Sequence, residues 1–481
     1  MIEKLVKITG SLENKLKARS FNLSESFIKE FSNRSGFIDF TNNDGSVNGI
    51  ALIDRGIEPE IRIMNYGNEL FSRDYIQKSL KKAMEYREKL SNDKIIDIGP
   101  KSAYRLVNDG SDGLSALTVD VYADYLHITT FSEYWHNHMR FISEYLLKET
   151  GKKGVYWRNN LKNSPPTSKF YIGEKYKLDE QGQSTLIAEE SGMKLYIDLM
   201  DPNSTGLFLD QKLNKQLISN LFNGRNNGSI LNTFAHTCAF SLAPCVNGHK
   251  VSSYNIDISP KYFNTAMRNF QLNDIPLNHH KFVEKDVFSQ LEQMKSKSTR
   301  FDVIVLDPPS FAKSKKFGAF STKNKYRDLL DLSIPLLNPG GFIVAFTNTK
   351  SISESKWLRQ IGVKDDMQDI DIENDQQQQQ QQQQKQKQQQ SQILIDGTLK
   401  NDLREISQLN IKNAKFSNST KNVSPFKKLA KFKAVEYFDQ SPDFNIREGD
   451  ERVAKYLKGV LLKNKVDFSK TKYYSTEKNF K

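Results

Sequence analysis

The sequence has little cysteine and no long apolar run. Only two of its 481 residues are cysteines, Cys238 and Cys245, which excludes a disulfide framework and a cysteine zinc site and is typical of a reducing compartment. No apolar stretch approaches the ~20 residues of a membrane-spanning helix, and the N-terminus lacks the apolar core of a secretory signal. His279 and His280 have no further ligands at metal-binding spacing. We therefore expect a protein without membrane segments, disulfides or a metal ion.

Basic residues exceed acidic ones, so anionic partners have to be considered. The chain has 70 Lys and Arg against 57 Asp and Glu, a net charge of +13. This excess suits a polyanion such as RNA, although net charge bears on solubility as well. The first twenty residues are rich in Lys and Arg, as in an organellar presequence, but they also contain Glu3 and Glu13, which such presequences avoid. We expect a cytoplasmic protein, with a mitochondrial location as the alternative.

The chain is too long for one ordinary hydrophobic core, and its patterning divides it into segments. Residues 1–65 are weakly patterned, with strand candidates at 36–40 and 48–53. An amphipathic helix pattern at 70–90 and a strand-turn-strand pattern at 104–120 predict an α+β module. We assign a β-rich segment at 1–65, an α+β module at 66–195, a catalytic domain at 196–465 and a basic tail at 466–481.

A low-complexity insertion interrupts the catalytic domain. An acidic stretch at 365–375 runs into a glutamine tract at 376–390. Such a composition cannot bury a core, so it predicts a disordered insertion at about 364–392. Strand patterns at 432–438 and 456–462 follow, which indicates that the domain resumes after the polyglutamine tract.

The strongest pattern lies between Ile230 and Phe311. Short apolar runs rich in β-branched residues each stop at a polar or small-residue loop, and helical patterns separate them. This alternation predicts βαβ units and a parallel sheet, whose ligands lie beyond the carboxyl ends of its strands. We expect a cofactor at these loops, with Asp257 accepting ribose hydroxyls, Asp286 beside an adenine and Asp307 at the reaction centre.

This order of elements resembles the class I S-adenosylmethionine (SAM) methyltransferases. Four blocks, at 104–120, 205–212, 232–311 and 456–459, resemble the bacterial 23S rRNA large-subunit methyltransferases of the cytosine-5 type, which carry an N-terminal PUA domain. The block at 205–212 is the most telling, because class I methyltransferases in general do not share it. The resemblance implies an α/β, Rossmann-like catalytic domain preceded by a small α+β module and a degenerate PUA-like segment. It also implies SAM as cofactor and RNA, ribosomal in these relatives, as substrate.

Carried over motif by motif, the resemblance also implies the site residues. The cofactor-binding residues would be Asp210, Gln211, Phe234, His236, Thr237, Cys238, Asp257, Asp286 and Asp307. The catalytic residues would be Asp307, Pro308, Pro309, Phe311 and Asn348. Among these, His236 is interpreted as a packed loop histidine and not as an acid or base.

Two departures from the family pattern bear on chemistry. Cys238 and Ala239 stand where the family's first loop has glycines, which permit close backbone approach to a ligand; both side chains are small, and we expect cofactor binding to survive. Cytosine C5 methylation needs a cysteine thiolate that adds to C6, and the matching segment here, 347–349, has no sulfur. The sequence therefore predicts transfer to a base nitrogen. A non-catalytic RNA-binding relative and a methyltransferase for a protein or small molecule remain the alternatives.

Overall fold

The computed structural model describes residues 5–57, 59–314, 318–363, 432–447 and 456–464. The predicted insertion at about 364–392 and the predicted tail at 466–481 lie outside them. The chain separates into a larger unit, Met1–Glu354 with Phe432–Lys481, and a second unit, Ser355–Lys431. None of the helices in the described ranges is long and apolar enough to cross a membrane.

The N-terminal residues form a small sheet with its own core, although their sequence pattern is weak. Five strands hydrogen-bond in the order β1-β3-β4-β5-β2. Their bounds, with those of one helix, are β1 Val6–Lys7, α1 Gly10–Lys17, β2 Asn22–Leu23, β3 Gly36–Thr41, β4 Asn48–Ile53 and β5 Ile61–Tyr66. Both strands predicted here, β3 and β4, are confirmed. Strands β1 and β2 have two residues each, too few to carry a period-2 pattern, which is why the segment looked incomplete from its sequence.

The following module is a second five-stranded sheet with two helices. Its elements are α2 Arg73–Asn92, β6 Ala103–Asn108, β7 Leu117–Tyr122, β8 Tyr125–Thr130, α3 Met139–Thr150, β9 Gly154–Asn159 and β10 Thr167–Gly173. The strands lie in sequence order, and only β8 and β9 pair in parallel. Helix α2 begins where the Ser72 hydroxyl accepts the Tyr75 N–H at 3.2 Å, and its buried face includes Ile76, Leu80 and Ala83. The predicted helix and hairpin of this module are confirmed.

The catalytic domain is built on a seven-stranded sheet in the order β15-β14-β13-β16-β19-β21-β20. Strands β15 to β19 in this order are parallel, and β21 and β20 are antiparallel additions. A hairpin, β11 Ile187–Glu190 and β12 Met193–Tyr196, precedes it. The remaining elements are α4 Lys212–Asn220, β13 Gly228–Thr233, α5 Ala239–Val246, β14 Val251–Asp257, α6 Pro260–Leu272, β15 His280–Glu284, α7 Val287–Ser296, β16 Phe301–Leu306, β17 Phe311–Ser314, β18 Gly318–Ser321, α8 Thr322–Ser333, β19 Leu337–Thr347, α9 Glu354–Ile361, β20 Phe432–Phe438 and β21 Lys458–Asn464.

The predicted parallel sheet is therefore confirmed, with differences at its margins. The last two predicted strands correspond to β20 and β21. Helix α8 ends at Ser333, and the residues 338–341 belong to β19. There the pairing with β16 shifts register between Phe301 and Val303, because a Pro-Gly-Gly sequence interrupts the ladder without ending the strand.

Strand register brings the site loops to one edge of this sheet. Thr233, the last residue of β13, pairs with Ile256 of β14 and with Leu306 of β16. Because the three strands are parallel and end level, the loops that follow them leave the sheet side by side. Asp257 and Asp307 each come directly after one of these paired positions.

Candidate functional site

A cavity of about 620 Å³ opens at the carboxyl ends of β13, β14 and β16. Its volume lies within the usual range for small-molecule sites. Every residue proposed for the site from the sequence lines it, except Cys238. The lining residues that sequence reasoning missed include Phe208, Lys215, Ile258, Tyr262 and Leu457. Lys215 had a local signal, since it lies four residues after Gln211 and so on the same helical face. Phe208 and Leu457 lie inside the family blocks 205–212 and 456–459.

Two acidic side chains at the strand ends are held by backbone amides. The two oxygens of Asp257 accept the N–H groups of His236 and Ser259, at 2.8 and 2.9 Å. Asp286 caps α7, accepting the Ser289 N–H at 2.9 Å and its hydroxyl at 2.8 Å. A carboxylate has about four acceptor positions, so both groups are fixed in orientation and can accept further hydrogen bonds from a ligand in the cavity.

The loop after β13 has left-handed backbone at three alternate residues that are not glycine. Phe234, His236 and Cys238 have φ values of 54°, 50° and 61°. The Ala235 N–H donates to the Ile256 carbonyl and the Cys238 N–H to the Ala235 carbonyl, at 3.0 and 2.8 Å, which ties the loop to β14 and closes it on itself. Left-handed backbone costs about 1–2 kcal/mol at a residue with a Cβ. Of the two positions where the family has glycine, Cys238 adopts this strained backbone, whereas Ala239 begins helix α5.

Cys238 packs behind this loop and contributes no side chain to the cavity. Its side chain is fully buried within an apolar cluster that includes Leu242 and Phe263. The prediction that Cys238 binds the cofactor with the other loop residues is therefore limited to its backbone, because its buried side chain does not line the cavity. The left-handed backbone at Cys238 is what glycine would adopt without strain.

Replacing Cys238 with glycine is expected to give a more stable protein than replacing it with alanine. Both changes remove the buried sulfur, but only glycine relieves the strain at φ 61°, a difference of about 1 kcal/mol. Urea unfolding of the two variants measures it. In a helix interior glycine would instead be the less stable of the two, so an alanine variant as stable as the glycine variant would contradict the strain.

His236 is packed between aromatic rings and held uncharged. Its ring lies 4.8 Å from that of Phe208 and 4.1 Å from that of Tyr262, centroid to centroid. Burial lowers the pKa of His236 to about 3. Its Nδ1 lies 3.3 Å from the Thr237 hydroxyl, which donates to the Gly206 carbonyl at 2.7 Å. The hydroxyl proton is thus used, and Nδ1 is the atom that carries the imidazole proton. A neutral, enclosed ring of this kind shapes the cavity wall.

The carboxyl of Asp307 lies in a buried hydrogen-bond network. The Gln211 amide donates to Asp307 Oδ2 at 3.1 Å and accepts from the Asn214 amide at 2.7 Å. Asp210, the next acidic group, accepts the Tyr456 hydroxyl at 2.7 Å. Burial and the charge of Asp210 raise the pKa of Asp307 to about 7. A carboxyl with such a pKa exchanges a proton near neutrality, as functional-site groups often do.

The loop that follows Asp307 is anchored on both sides. The Thr322 hydroxyl donates to the Pro309 carbonyl at 3.0 Å, at the start of α8. On the other side the Ser310 hydroxyl donates to Asn348 Oδ1, also at 3.0 Å. Phe311 is 54% exposed at the mouth of the cavity. A rigid loop with an exposed aromatic ring offers a stacking surface for a planar ligand.

The cavity fits SAM. Its ribose can donate to the fixed carboxylate of Asp257, and the apolar side chains of Ile258, Val287 and Phe288 offer a wall for an adenine. The described residues contain no group of three or more His, Cys, Asp or Glu side chains that could hold a metal ion.

Comparison with known proteins identifies the family. Residues 176–366 match a family of S-adenosylmethionine-dependent methyltransferases. The ribosomal RNA large subunit methyltransferase I of Shewanella frigidimarina is 31% identical over 299 residues, 60% of this chain and 70% of that protein. That of Shewanella amazonensis is 29% identical over 318 residues, covering 65% and 77%.

Solved structures agree with the fold. A methyltransferase structure complexed with S-adenosylhomocysteine (SAH) covers 95% of this chain and 100% of its own, with a TM-score of 0.70 and 20% identity. A SAM-dependent methyltransferase structure from Streptococcus mutans gives a TM-score of 0.69 at the same identity. The cofactor of this enzyme is SAM, and the chain belongs to the SAM-dependent methyltransferase family that includes the ribosomal RNA large subunit methyltransferase I proteins.

Proposed function

We propose that this protein transfers the methyl group of SAM to a nitrogen atom of a base in RNA, most directly ribosomal RNA. The RNA substrate is supported by the relatives, which are named as ribosomal RNA methyltransferases. The choice of nitrogen is our own, and one observation carries it: the reaction centre offers a buried carboxyl and an amide where transfer to cytosine C5 requires a thiolate.

Neither cysteine of the chain is suited to attack a base. The sequence has only Cys238 and Cys245, and neither lines the cavity. Burial raises the pKa of the Cys238 thiol well above its usual range and that of Cys245 to about 12. Both sulfurs therefore stay protonated near neutral pH, whereas the covalent route to C5 needs a thiolate at C6. The segment at 347–349 supplies Asn348 to the cavity instead.

Transfer to nitrogen needs no nucleophilic group from the protein. SAM supplies an electrophilic methyl group; the base nitrogen supplies the electron pair and loses a proton once the new bond has formed. Asp307, with its pKa raised to about 7, can accept a hydrogen bond from the nitrogen and then its proton. Phe311 at the cavity mouth can stack on a base turned out of its RNA strand. Asn348 offers a further polar contact to the base edge, and positioning accounts for most of the rate.

The decisive experiment compares nucleosides of large and small ribosomal RNAs from cells with and without the gene, by mass spectrometry. Loss of one N-methylated nucleoside, restored by the wild-type gene and not by an Asp307→Ala variant, is the expected result. Loss of 5-methylcytidine would instead refute the nitrogen assignment. An unchanged profile in all ribosomal RNAs would refute the ribosomal substrate.

A cysteine-free variant tests the chemistry independently. Cys238→Gly with Cys245→Ala removes both thiols of the chain, and we expect its kcat/KM for RNA methylation to stay within about fivefold of wild type, since only packing changes. An enzyme that adds a thiolate to its substrate would lose essentially all activity. The two single variants serve as folding controls, and RNA containing 5-fluorocytidine should leave no covalent protein–RNA adduct.

We also propose that the enzyme acts in the cytoplasm, as its bacterial relatives support, with mitochondria as the alternative. The nucleoside experiment distinguishes the two, provided that cytosolic and organellar ribosomal RNAs are analysed separately. A change confined to organellar RNA would indicate that the enzyme acts in mitochondria.

A further inference from the structure

A second cavity, of about 520 Å³, lies where three parts of the larger unit meet. The N-terminal sheet contributes Arg62, the second sheet contributes Asn108 and Phe131, and the catalytic domain contributes Lys350 and Tyr456. Nothing in the cofactor chemistry uses these groups. A cavity built jointly by the two N-terminal modules and the catalytic domain is a natural place for a large substrate to be held.

The charge of this cavity points to an anion. Its lining includes five cationic side chains, Arg62, Arg105, Lys162, Lys350 and Arg447, against the single carboxylate of Asp109. Arg105 forms an ion pair with Asp120, and Arg62 lies 3.9 Å from Asp54. These two arginines thus already face carboxylates. The third, Arg447, donates to the Met64 and Ile63 carbonyls at 2.8 and 3.0 Å, so the two lysines are the groups to consider for a ligand.

Lys162 and Lys350 are both exposed, and in the described ranges no carboxylate lies within ion-pair distance of either. The Lys162 ammonium donates to the Gly56 carbonyl at 2.9 Å. The Lys350 ammonium lies 5.6 Å from the centre of the Tyr456 ring. An ammonium has three donors, so each lysine can still bind an anionic oxygen without breaking the contacts that position it.

The second cavity directly adjoins the reaction centre. Tyr456 lines it, while the next residue, Leu457, lines the cofactor cavity. Lys350 comes two residues after Asn348, which also lines the cofactor cavity. The hydroxyl of Tyr456 donates to Asp210 at 2.7 Å, on the cofactor side. Tyr456 therefore lines the second cavity while its hydroxyl contacts a lining residue of the cofactor cavity.

We propose that the second cavity binds the nucleotide that flanks the target base in an RNA strand, with the phosphate held by Lys162 and Lys350. This inference rests on the proposed function, since it assumes an RNA substrate. An enzyme that acts on a base turned out of its strand has to hold the neighbouring nucleotides in place, and phosphate contacts provide that register. An acidic peptide would satisfy the charge alone, but only a nucleic acid links a phosphate in one cavity to a base in the other.

The test measures RNA binding without turnover. A labelled single-stranded RNA of about 12 nucleotides is titrated in a salt series with wild type, Lys162→Gln, Lys350→Gln and Lys194→Gln by fluorescence anisotropy. Substitution of either cavity lysine is expected to weaken RNA binding about fivefold. It should also reduce the magnitude of the slope of log K against log salt by about 0.7. Lys194 is exposed and outside both cavities, and its variant should match wild type.

The outcomes separate this inference from the proposed function. The second cavity is overturned as an RNA site if both cavity variants keep the affinity and salt slope of wild type. The same holds if the wild-type protein binds no RNA. If Lys194→Gln weakened RNA binding equally, net charge alone would explain the effect, and this outcome would also overturn the second cavity as an RNA site. If RNA binding depends on the two lysines while no RNA is methylated in cells, the second cavity is supported as an RNA site and the proposed methylation of RNA is refuted. If RNA methylation is found and both lysine variants bind RNA as wild type does, the proposed function is supported and the second cavity is refuted as an RNA site.

Discussion

Replacing Asp307 with asparagine should lower kcat/KM for methyl transfer by about 10²–10⁴-fold. Asparagine keeps an oxygen that can accept the hydrogen bond from the Gln211 amide, which in the wild-type protein lies 3.1 Å from Asp307 Oδ2. The network and the loop that follows can therefore be retained. Under the proposed mechanism, what is lost is the negative charge opposite the nitrogen, which becomes positive as the methyl bond forms, and the site that takes its proton. Initial rates with saturating SAM and varied RNA measure the effect.

The pH dependence of the wild-type enzyme is the specific sign of this role. Because the pKa of Asp307 is raised to about 7, the carboxylate that accepts a proton is the minority form below pH 7. We expect kcat/KM to rise with pH up to about 7 and to level off above it, and the rise to disappear in Asp307→Asn. A flat wild-type profile between pH 5.5 and 9 would contradict a proton-accepting role.

The same substitution should stabilise the cofactor-free protein at high pH. An aspartate has a pKa near 3.9 when unfolded and about 7 in this site. Its contribution to the free energy of unfolding is therefore greatest below about pH 4 and is lost as the pH rises through 7. Asparagine suffers no such loss, so its advantage should grow by about 1–3 kcal/mol between pH 5 and pH 8. Urea unfolding at the two pH values measures it.

Asp302 provides the matched control. Its carboxylate pairs with Arg225 at 3.2 Å and accepts the N–H and hydroxyl of Ser229 at 2.9 and 2.8 Å. An amide there loses a charge that has a partner, so Asp302→Asn should be destabilised, with no gain at pH 8. If both asparagine variants gained stability together, a general effect of net charge would replace the local one.

The sequence was most informative where chemistry follows a strand end. Asp257, Asp286 and Asp307 all lie at the cavity, because parallel strands and their order leave the following residue little choice of position. The lining residues Phe208 and Tyr262 could not be read in the same way, since packing brings them to the cavity from loops and helices with no periodic signal.

Long-range contacts and local strain were also beyond the sequence. The hydrogen bond from Tyr456 to Asp210 joins residues 246 positions apart, and no local pattern encodes it. The block at 456–459 was recognised as a family motif without any indication that its first two residues would line different cavities. Likewise, cysteine at position 238 suggested a change of loop chemistry, whereas the left-handed backbone there turns the side chain into the core.

Replacing Arg87 with methionine is expected to lower the free energy of unfolding by about 3–5 kcal/mol. The Arg87 side chain is 1% exposed and pairs with Asp112, which is 5% exposed, at 2.8 Å. It also donates to the Arg105 carbonyl at 2.9 Å and to the Asn445 amide oxygen at 3.0 Å. Methionine fills similar volume but leaves a buried carboxylate without its cation. Urea unfolding measures the loss, and Lys81→Met, on the exposed side of the same helix in a weak pair with Glu85, should change stability by no more than about 0.5 kcal/mol.

The functional consequence follows from where Arg87 reaches. It holds the segment at 439–447, and the Ser441 N–H of this segment donates to the Asp210 carbonyl at 3.0 Å, directly behind the cofactor cavity. Arg87→Met should therefore weaken SAM binding, measured by calorimetry under conditions where the variant is folded, although Arg87 touches neither cavity. Adding Asp112→Leu removes the carboxylate that has lost its cation and should recover part of the stability. The recovery stays partial because leucine cannot accept the Asn108 N–H and the Asn445 amide, now 2.6 and 3.0 Å from the carboxylate oxygens. The added substitution should not recover the SAM affinity, because the contacts to Asn445 stay broken. Recovery of both together would show that the salt bridge alone, and not the anchoring of this segment, supports the site.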